Sequence, residues 1–414
     1  MNEEWFSDRI LERFLEYVRI DTASDGHSRK RPTTPGQWDL LNLIAAELKD
    51  LGIDDVSLDK NGFLIAGISS NAGKGIPSVG FMAHVDTSSD VPGSGVKPIV
   101  HRNYNGGIIR LKDDLFLDPE KESELGNYAG DTVITSDGTT LLGADNKAGI
   151  AEIMTAVEFL VKNPEFEHGD IELIFTPDEE TGFGMDLFPY DRLKSKLCYT
   201  IDGDLEGTIE AECFNGYSVS ISFLGNTIHP GYARGKFTNA VVMMSSFVNM
   251  LPGSESPEAT DNRFGFYFPI EARADVGKAE LSIFLRDFEM EGINRRIEVL
   301  KSMAGSIEKI FPGGKVEIQV KKMYSNMRDS LKKNPDVMDL LEKAVREAGV
   351  KPRVKIIRGG TDGARLSENG IPAPNVFTGG SNFHSLKEWI PLSAMVKSSF
   401  VVLNLIKLWK EKGN

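Results

Sequence analysis

Cysteine is scarce in this sequence, which has only Cys198 and Cys213 among its 414 residues. Two thiols are too few to build a structural zinc site from thiolate ligands. So few thiols in so long a chain are typical of a protein from a reducing compartment.

Positive charge is also in deficit, because 47 lysines and arginines face 61 aspartates and glutamates, for a net charge of −14. Such a surface repels nucleic acid phosphates and anionic lipids, and no basic run with interleaved aromatics offsets it. The sequence therefore predicts no nucleic acid partner.

Long apolar runs are missing as well, since no window holds the roughly 20 apolar residues that span a bilayer. The N-terminal segment, MNEEWFSDRILERFLEYV, is acidic and has helical periodicity. It lacks the basic patch, the apolar stretch and the small-residue cleavage site of a signal peptide. These features predict no membrane association and a cytoplasmic location.

What is present is an alternation of helices and short strands. Apolar residues at helical spacing predict a helix over 6–20 and a second over 35–51, which ends at Gly52. Strand-like segments then alternate with helices: IPSVGFMAHVD, a short strand at TLLG before the long helix of ADNKAGIAEIMTAVEFLVK, DIELIFTPDEE, KLCYTID, VKIIRGGTDG and APNVFTGG. This order predicts an α/β domain with a mostly parallel central sheet.

The middle of the chain has a different order. From about Phe214 the patterns predict strand, helix, strand, strand, helix and strand, over residues 217–223, 239–251, 266–272, 279–288, a helical stripe within 293–311, and 315–323. This is the split, ferredoxin-like arrangement. We therefore expect an inserted α+β domain over residues 212–325, between two parts of the larger domain, 1–211 and 326–414.

A histidine and an aspartate lie two residues apart at the end of a buried strand, in His84-Val85-Asp86. Spacing of two in a strand points both side chains to one face. A metal-binding histidine usually has its second ring nitrogen held by a carboxylate, and Asp86 is well placed for that. A satisfied histidine–aspartate pair without metal explains the same motif equally well.

Asp145 lies in GADNK, on the turn into the long helix. Taken alone, Asp145 or Asn146 is best explained as the N-cap of that helix. A carboxylate on a rigid strand–turn–helix junction is also a natural bridging ligand between two metal ions. The choice between the two depends on which residues surround Asp145.

Three adjacent carboxylates, Asp178, Glu179 and Glu180, directly follow the predicted strand 171–176. Such a run is usually a solvated acidic loop. Here it ends a hydrophobic strand, and the glycines behind it permit tight turns. Because consecutive side chains point in different directions, one glutamate can bind metal while its neighbour faces a substrate.

Two further candidates follow strand-like segments, Asp202 at the end of KLCYTID and His384 after a Gly-Gly turn. Open α/β sheets place their ligands at such strand ends. The candidates together supply two histidines and three carboxylates: His84, Asp145, Glu180, Asp202 and His384. This inventory suits two zinc ions about 3.5–4 Å apart that share a bridging carboxylate and a water.

Several longer segments resemble a known family. GADNKAGIAEIMTA, HGDIELIFTPDEE, NTIHPGYARG, RGGTDGARLS and TGGSNFH closely resemble the peptidase T family of tripeptide aminopeptidases. That family belongs to the clan of dinuclear zinc aminoacylases, carboxypeptidases and dipeptidases. The likeness runs from about Pro35 to the C-terminal helix, and it implies an enzyme that releases the N-terminal residue from tripeptides.

The resemblance implies two Zn²⁺ ions per chain and assigns their ligands. His84 and Asp202 would hold one ion. Glu180 and His384 would hold the other, and Asp145 would bridge them.

The resemblance also implies catalytic roles. Glu179 would be the general base, and Asp86 would support His84. The inserted segment, roughly 212–325, would be the lid domain of the clan, and its His229 would help to stabilise the oxyanion.

Two arginines are candidates to grip the C-terminal carboxylate of a peptide, Arg286 in FLRDF and Arg358 before Gly359-Gly360. The planar guanidinium suits bidentate binding of a carboxylate. A structural or surface ion pair explains each arginine equally well. A fixed grip at a set distance from the zinc ions would limit substrates to three residues.

Other functions fit parts of the pattern. A dinuclear zinc dipeptidase or N-acyl amino acid hydrolase of the same clan would use the same ligands. A non-catalytic zinc-binding relative would have no need of Glu179. A nucleotide-binding protein is excluded, because neither RGGTDG nor GADNKAG is a GxGxxG fingerprint. A homodimer is compatible with the sequence.

Overall fold

The structure, a computed structural model, describes residues 2–122 and 124–413. The chain divides into two compact units. The first unit contains Met1–Ala211, Met327–Lys355 and Thr361–Asn414, and the second contains Glu212–Asn326 and Ile356–Gly360. The second unit is therefore inserted into the sequence of the first.

The α-helices run over Glu3–Tyr17 (α1), Pro35–Asp50 (α2), Ala144–Lys162 (α3), Ala240–Met250 (α4), Met290–Ile310 (α5), Arg328–Lys333 (α6), Pro335–Glu347 (α7), Asp362–Glu368 (α8) and Leu392–Gly413 (α9). The strands run over Asp55–Leu58 (β1), Leu64–Ile68 (β2), Val79–His84 (β3), Ile99–His101 (β4), Ile109–Arg110 (β5), Phe116–Leu117 (β6), Val133–Thr135 (β7), Ile171–Thr176 (β8), Leu197–Gly203 (β9), Thr208–Cys213 (β10), Asn215–Leu224 (β11), Phe266–Ala274 (β12), Lys278–Asp287 (β13), Lys315–Tyr324 (β14), Arg353–Ile357 (β15), Asn375–Phe377 (β16) and Trp389–Pro391 (β17).

An eight-stranded sheet forms the centre of the first unit, in the order β1-β2-β8-β3-β9-β16-β10-β15. Strand β3 pairs in parallel with β8 and β9, and β16 pairs in parallel with β9. The flanking pairs β1–β2, β2–β8 and β10–β16 are antiparallel. Because the central strands are parallel, their carboxyl ends meet at one edge of the sheet, where α/β proteins place their sites.

Long apolar helices cover this sheet. Helix α3 packs against β3 and β9, and α9 packs against α1, α3 and α7. By length and composition α9 could span a membrane, but 83% of its most apolar window is buried inside the protein. In this structure α9 is therefore a core helix, whose apolar surface is used to pack the first unit.

One predicted strand is wrong. The sequence TLLG predicts a short strand before α3, but residues 139–143 form no strand. The N–H groups of Leu142 and Gly143 instead donate to the side-chain carboxylate of Glu388. Because a distant side chain satisfies these donors, the segment needs no neighbouring strand.

The second unit contains β11, α4, β12, β13, α5 and β14 in chain order, which is the element order that the sequence predicts. Its sheet is antiparallel throughout, in the order β12-β13-β11-β14. Alternate residues of β11, namely Val219, Ile221 and Phe223, are buried in one cluster with side chains of α4 and α5. One face of the sheet therefore packs on the two helices, as in other split α+β units.

A buried hydroxyl in β9 yields a testable prediction. Tyr199 is 0% exposed, and its hydroxyl donates to the carbonyl of Val337 at 3.0 Å and accepts from Nε1 of Trp409 at 2.9 Å. Tyr199→Phe removes the partner of the Trp409 N–H and one hydrogen bond to the Val337 carbonyl, so we expect a loss of about 1–3 kcal/mol in the free energy of unfolding. Urea denaturation measures the loss. The double variant Tyr199→Phe/Trp409→Phe should lose less free energy of unfolding than the two single variants lose together. Full additivity would contradict the hydrogen bond between the two side chains.

Candidate metal centre

The candidate ligands lie where parallel strands end. His84 is the last residue of β3, and Asp202 is one residue before the end of β9. Glu180 lies in a 3-10 turn, Glu179–Thr181, that follows β8. Since His84 pairs with Thr176 at the end of β8, these side chains converge at the carboxyl edge of the sheet.

One cluster of metal-competent groups contains His84, Asp145 and Asp202. Nε2 of His84 lies 2.9 Å from Oδ1 of Asp145 and 3.3 Å from Oδ1 of Asp202. Ligand atoms of the three residues all lie within 4.8 Å of one another. His84 is only 2% exposed, so its ring faces these carboxylates rather than bulk solvent.

A second cluster contains Asp145, Glu180 and His384, again with ligand atoms within 4.8 Å of one another. Nε2 of His384 lies 3.2 Å from Oδ2 of Asp145 and 3.0 Å from Oε1 of Glu180. Asp145 thus directs one carboxylate oxygen to each histidine, which is the arrangement of a bridging ligand.

The hydrogen bonds of Asp145 do not support the helix-cap explanation. Asp145 and Asn146 have non-helical backbone angles, so the regular helical turns of α3 begin after them. An extended residue at this point can cap a helix. The carboxylate oxygens of Asp145 instead face Nε2 of His84 at 2.9 Å and Nε2 of His384 at 3.2 Å.

Asp86 connects the first cluster to the turn after β8. Its carboxylate accepts hydrogen bonds from the N–H groups of Glu179 at 2.9 Å and Glu180 at 3.1 Å. Nδ1 of His84 lies 3.0 Å from the carbonyl oxygen of Asp86 and 3.3 Å from its Oδ1. With Nδ1 held in this way, Nε2 of His84 is the nitrogen that faces the cluster.

The three adjacent acids have different surroundings. The carboxylate of Asp178 accepts hydrogen bonds from Thr33 and from Nε2 of Gln37, so it fastens the turn to the start of α2. Glu180 points into the second cluster. Glu179, between them, is in neither cluster of ligand atoms and is therefore available for a proton-transfer role.

Burial shapes the acidity of the carboxylates. It raises the pKa of Glu179 well above its usual range, and that of Asp202 above its usual range. Burial and the neighbouring charge of Asp145 raise the pKa of Glu180 to about 7. Burial also opposes ionisation of Asp145, but hydrogen bonds from both histidines outweigh it and hold the pKa of Asp145 below its usual range.

The carboxylates in turn raise the pKa values of the two histidines. Burial alone would lower the pKa of His84, but Asp202 and Asp145 raise it well above its usual range. Asp145 and Glu180 likewise outweigh burial and raise the pKa of His384 to about 12. The surrounding carboxylates therefore favour positive charge at both imidazoles.

The donor set fits a pair of divalent cations. Oε1 of Glu180 is buried and makes no hydrogen bond, although it lies 3.0 Å from Nε2 of His384. A buried carboxylate oxygen without a hydrogen bond is costly unless a cation compensates it. Imidazole nitrogens and carboxylate oxygens are ligands that zinc accepts.

Two supporting residues carry no local sequence signal. Oδ2 of Asp90 lies 3.0 Å from Nδ1 of His384, across a sequence separation of 294 residues. The buried carboxylate of Glu388 accepts hydrogen bonds from the N–H groups of Leu142, Gly143 and Asp145. Only the folded chain reveals these contacts, because each joins loops that are distant in sequence.

Two of the remaining candidates lie in the second unit. His229 is exposed in a short turn, where its Nδ1 accepts a hydrogen bond from the N–H of Gly231 at 3.1 Å. Arg286 is 8% exposed and donates to the carbonyl of Leu285, and its guanidinium lies 4.7 Å from the ring centre of Phe284. The oxyanion role of His229 and the substrate role of Arg286 remain predictions.

Arg358 also lies in the second unit and has several partners there. Its guanidinium donates to the carbonyl oxygens of Thr260, Asn262 and Phe264 and to the hydroxyl of Thr260. It also lies 5.3 Å from the ring centre of Phe214. These contacts support the structural explanation of Arg358 over a grip on substrate, which remains a prediction.

Comparison with known proteins identifies the family. The sequence model of peptidase family M20/M25/M40 matches residues 128–408. Peptidase T of Clostridium perfringens (strain SM101) is 44% identical over 404 residues, which cover 98% of this chain and 100% of that protein. The crystal structure of aminopeptidase PepT from Bacillus cereus has a TM-score of 0.74 at 23% identity and covers 97% of this chain and 98% of that one. A tripeptidase from Staphylococcus aureus has a TM-score of 0.75 at 22% identity and covers 98% and 99%.

These findings confirm three predictions from the sequence. The full-length identity confirms the resemblance and the assignment to tripeptide aminopeptidase hydrolases. The structural neighbours confirm the α/β peptidase fold with its mostly parallel central sheet. The chain belongs to peptidase family M20/M25/M40 and, within it, to the peptidase T family.

Proposed function

We propose that the chain releases the N-terminal residue of tripeptides at a centre that binds two Zn²⁺ ions. His84 and Asp202 would hold one ion. Glu180 and His384 would hold the other, and Asp145 would bridge them. The observation that carries this proposal is the position of Asp145, whose two oxygens lie 2.9 Å and 3.2 Å from the two histidine nitrogens.

In the proposed mechanism the metal ions and the side chains of the chain have different tasks. When bound, two zinc ions would polarise the scissile carbonyl and lower the pKa of a water from 15.7 to about 7. The chain supplies the groups that hold the ligands and move protons. Asp86 orients His84 and fixes the turn that carries Glu179 and Glu180.

Glu179 is the residue suited to proton transfer. Its N–H is held by Asp86, and burial raises the pKa of its carboxyl, so it can take a proton from the attacking water. The same carboxyl then passes the proton to the departing amine. By the family resemblance, His229 would assist by stabilising the oxyanion.

Two related activities would use the same centre, those of a dipeptidase and of an N-acyl amino acid hydrolase. The 44% identity to peptidase T, which extends over 98% of this chain, favours tripeptides as substrates over dipeptides and N-acyl amino acids. Small peptides are therefore the proposed partners of the site. Thiol scarcity supports a cytoplasmic location as part of the same proposal.

The role of Glu179 is tested by Glu179→Gln. The amide keeps the size of the side chain but cannot take a proton, so we expect kcat for a tripeptide to fall by roughly 10²–10⁴. Metal analysis should still find two zinc ions per chain. Glu180→Gln is the matched control. Because Glu180 is a proposed ligand, that variant should bind less zinc. Near-normal turnover by Glu179→Gln would show that another residue is the base.

The bridging role of Asp145 predicts a different loss. Asp145→Ala removes a ligand from both clusters, so we expect both zinc ions to bind more weakly. Asp202→Ala removes a ligand from the first cluster alone and should weaken one ion. Metal analysis after dialysis against a weak chelator distinguishes these outcomes. An Asp145→Ala protein that keeps two ions would exclude the bridge.

Substrate length provides the third test. A panel of free dipeptides, tripeptides, tetrapeptides and N-acetyl amino acids, assayed for kcat/KM, should show a clear preference for tripeptides. A preference for dipeptides or N-acetyl amino acids would assign the chain one of the two alternative activities. Inactivity on the whole panel with two zinc ions bound would indicate a non-catalytic relative.

A further inference from the structure

Glu388 is a buried carboxylate that the proposed chemistry does not use. It is 1% exposed and lies four residues after His384, just before β17. Its Oε2 accepts hydrogen bonds from the N–H groups of Leu142 at 2.7 Å and Gly143 at 2.8 Å. Its Oε1 accepts from the N–H of Asp145 at 3.1 Å. All three donors belong to the segment that delivers the shared ligand.

These hydrogen bonds hold the turn that leads into α3. In this turn Gly143 has a left-handed φ of 86°, and Asp145 and Asn146 have non-helical backbone angles. A carboxylate that accepts from several backbone N–H groups is favoured because each hydrogen bond is charge-assisted. By fixing the N–H of Asp145, Glu388 restricts the backbone rotation that would swing the Asp145 carboxylate away from the histidines.

The loop that carries Glu388 also carries His384. Ser381 and Trp389 close the loop by exchanging backbone hydrogen bonds of 2.9 Å and 3.1 Å. Within it, the hydroxyl of Ser385 donates to the carbonyl of Asn382 at 2.7 Å. One closed loop therefore supplies one ligand of the second cluster and holds another in place.

The first cluster depends on this loop much less. His84 and Asp202 lie on β3 and β9, whose parallel pairing fixes them independently of residues 381–388. Among the residues that the structure describes, Asp145 is the member of that cluster that binds Glu388. In the second cluster, by contrast, both Asp145 and His384 depend on the loop, and Glu180 alone does not.

We propose that Glu388 is a positioning residue that sets the affinity of the second metal site, formed by Asp145, Glu180 and His384. The inference rests on the proposed two-metal function. It predicts that loss of the Glu388 carboxylate weakens binding of one metal ion much more than of the other.

Glu388→Gln is the informative substitution. The amide oxygen can replace Oε2 and keep the bonds to Leu142 and Gly143, but the amide nitrogen then meets the N–H of Asp145, donor against donor. The opposite orientation loses the other two bonds. Either way, Asp145 or the turn before it loses its support while the size of the side chain is unchanged.

Glu172 provides a matched control in the same unit. It is 3% exposed, and its carboxylate accepts from the N–H groups of Lys194 and Ser195. It pairs with Gly80, four residues before His84 along β3, roughly 13 Å from the metal centre at the usual rise of a strand. Glu172→Gln should reduce stability in a similar way without changing metal affinity.

The test is a stepwise titration of chelator-treated enzyme with Co²⁺, followed by its visible d–d absorption. The wild type and Glu172→Gln should bind two equivalents with the same affinities. Glu388→Gln should bind the first equivalent almost normally and the second roughly 10–100-fold more weakly, as is typical for loss of a residue that supports a ligand. Excess metal should restore its tripeptide turnover.

The other outcomes are distinguishable. A wild type that binds fewer than two equivalents would overturn the proposed function itself. Equal second-site affinities in Glu388→Gln and Glu172→Gln would overturn the positioning role alone. If Glu388→Gln does not fold, Glu388→Asp keeps the charge on a shorter side chain and should show an intermediate weakening. Wild-type affinity in that variant would also overturn the inference.

Discussion

The two hydrogen bonds that the Asp86 carboxylate accepts from the N–H groups of Glu179 and Glu180 tie the end of β3 to the turn after β8. The backbone carbonyl of the same residue lies 3.0 Å from Nδ1 of His84, so one residue holds the imidazole ring and the backbone of the turn that carries two glutamates. This is effective because β3 and β8 are parallel and in register, which brings both ends to one edge of the sheet. The candidate ligands and the proposed base are therefore held together at the carboxyl edge of the central strands.

Much of this candidate centre follows from sequence because its proposed ligands are local features. His84, Glu180 and Asp202 each end or follow a strongly apolar strand, and parallel strands bring such ends together. The element order of the inserted unit is equally predictable from sequence, since its apolar residues have clear helical or strand periodicity. The ligand roles nevertheless rest on the family resemblance, because a strand-end acid without its neighbours is better explained as a solvated loop or a helix cap.

What the sequence could not predict depends on contacts between distant segments. TLLG has the composition of a strand, but two of its N–H groups donate to the Glu388 carboxylate. No local sequence pattern predicts that partner. Asp90 supports His384 across 294 residues, and Asp178 turns towards Thr33 and Gln37 instead of the metal centre. Side-chain to backbone bonds between loops follow from the completed fold, whereas strand ends follow from apolar periodicity.

The electrostatics of the centre explain why so many supporting bonds are needed. Burial opposes ionisation of Glu180 and Asp202, and their mutual repulsion with Asp145 adds to the cost of bringing them together. The same carboxylates raise the pKa of both imidazoles, so protons would compete with metal ions at His84 and His384 if these residues are ligands as proposed. Three buried carboxylates held close together would relax by turning outward. The contacts of Asp86, Asp90 and Glu388 oppose that relaxation, and they keep the candidate ligands in an arrangement that suits a pair of cations.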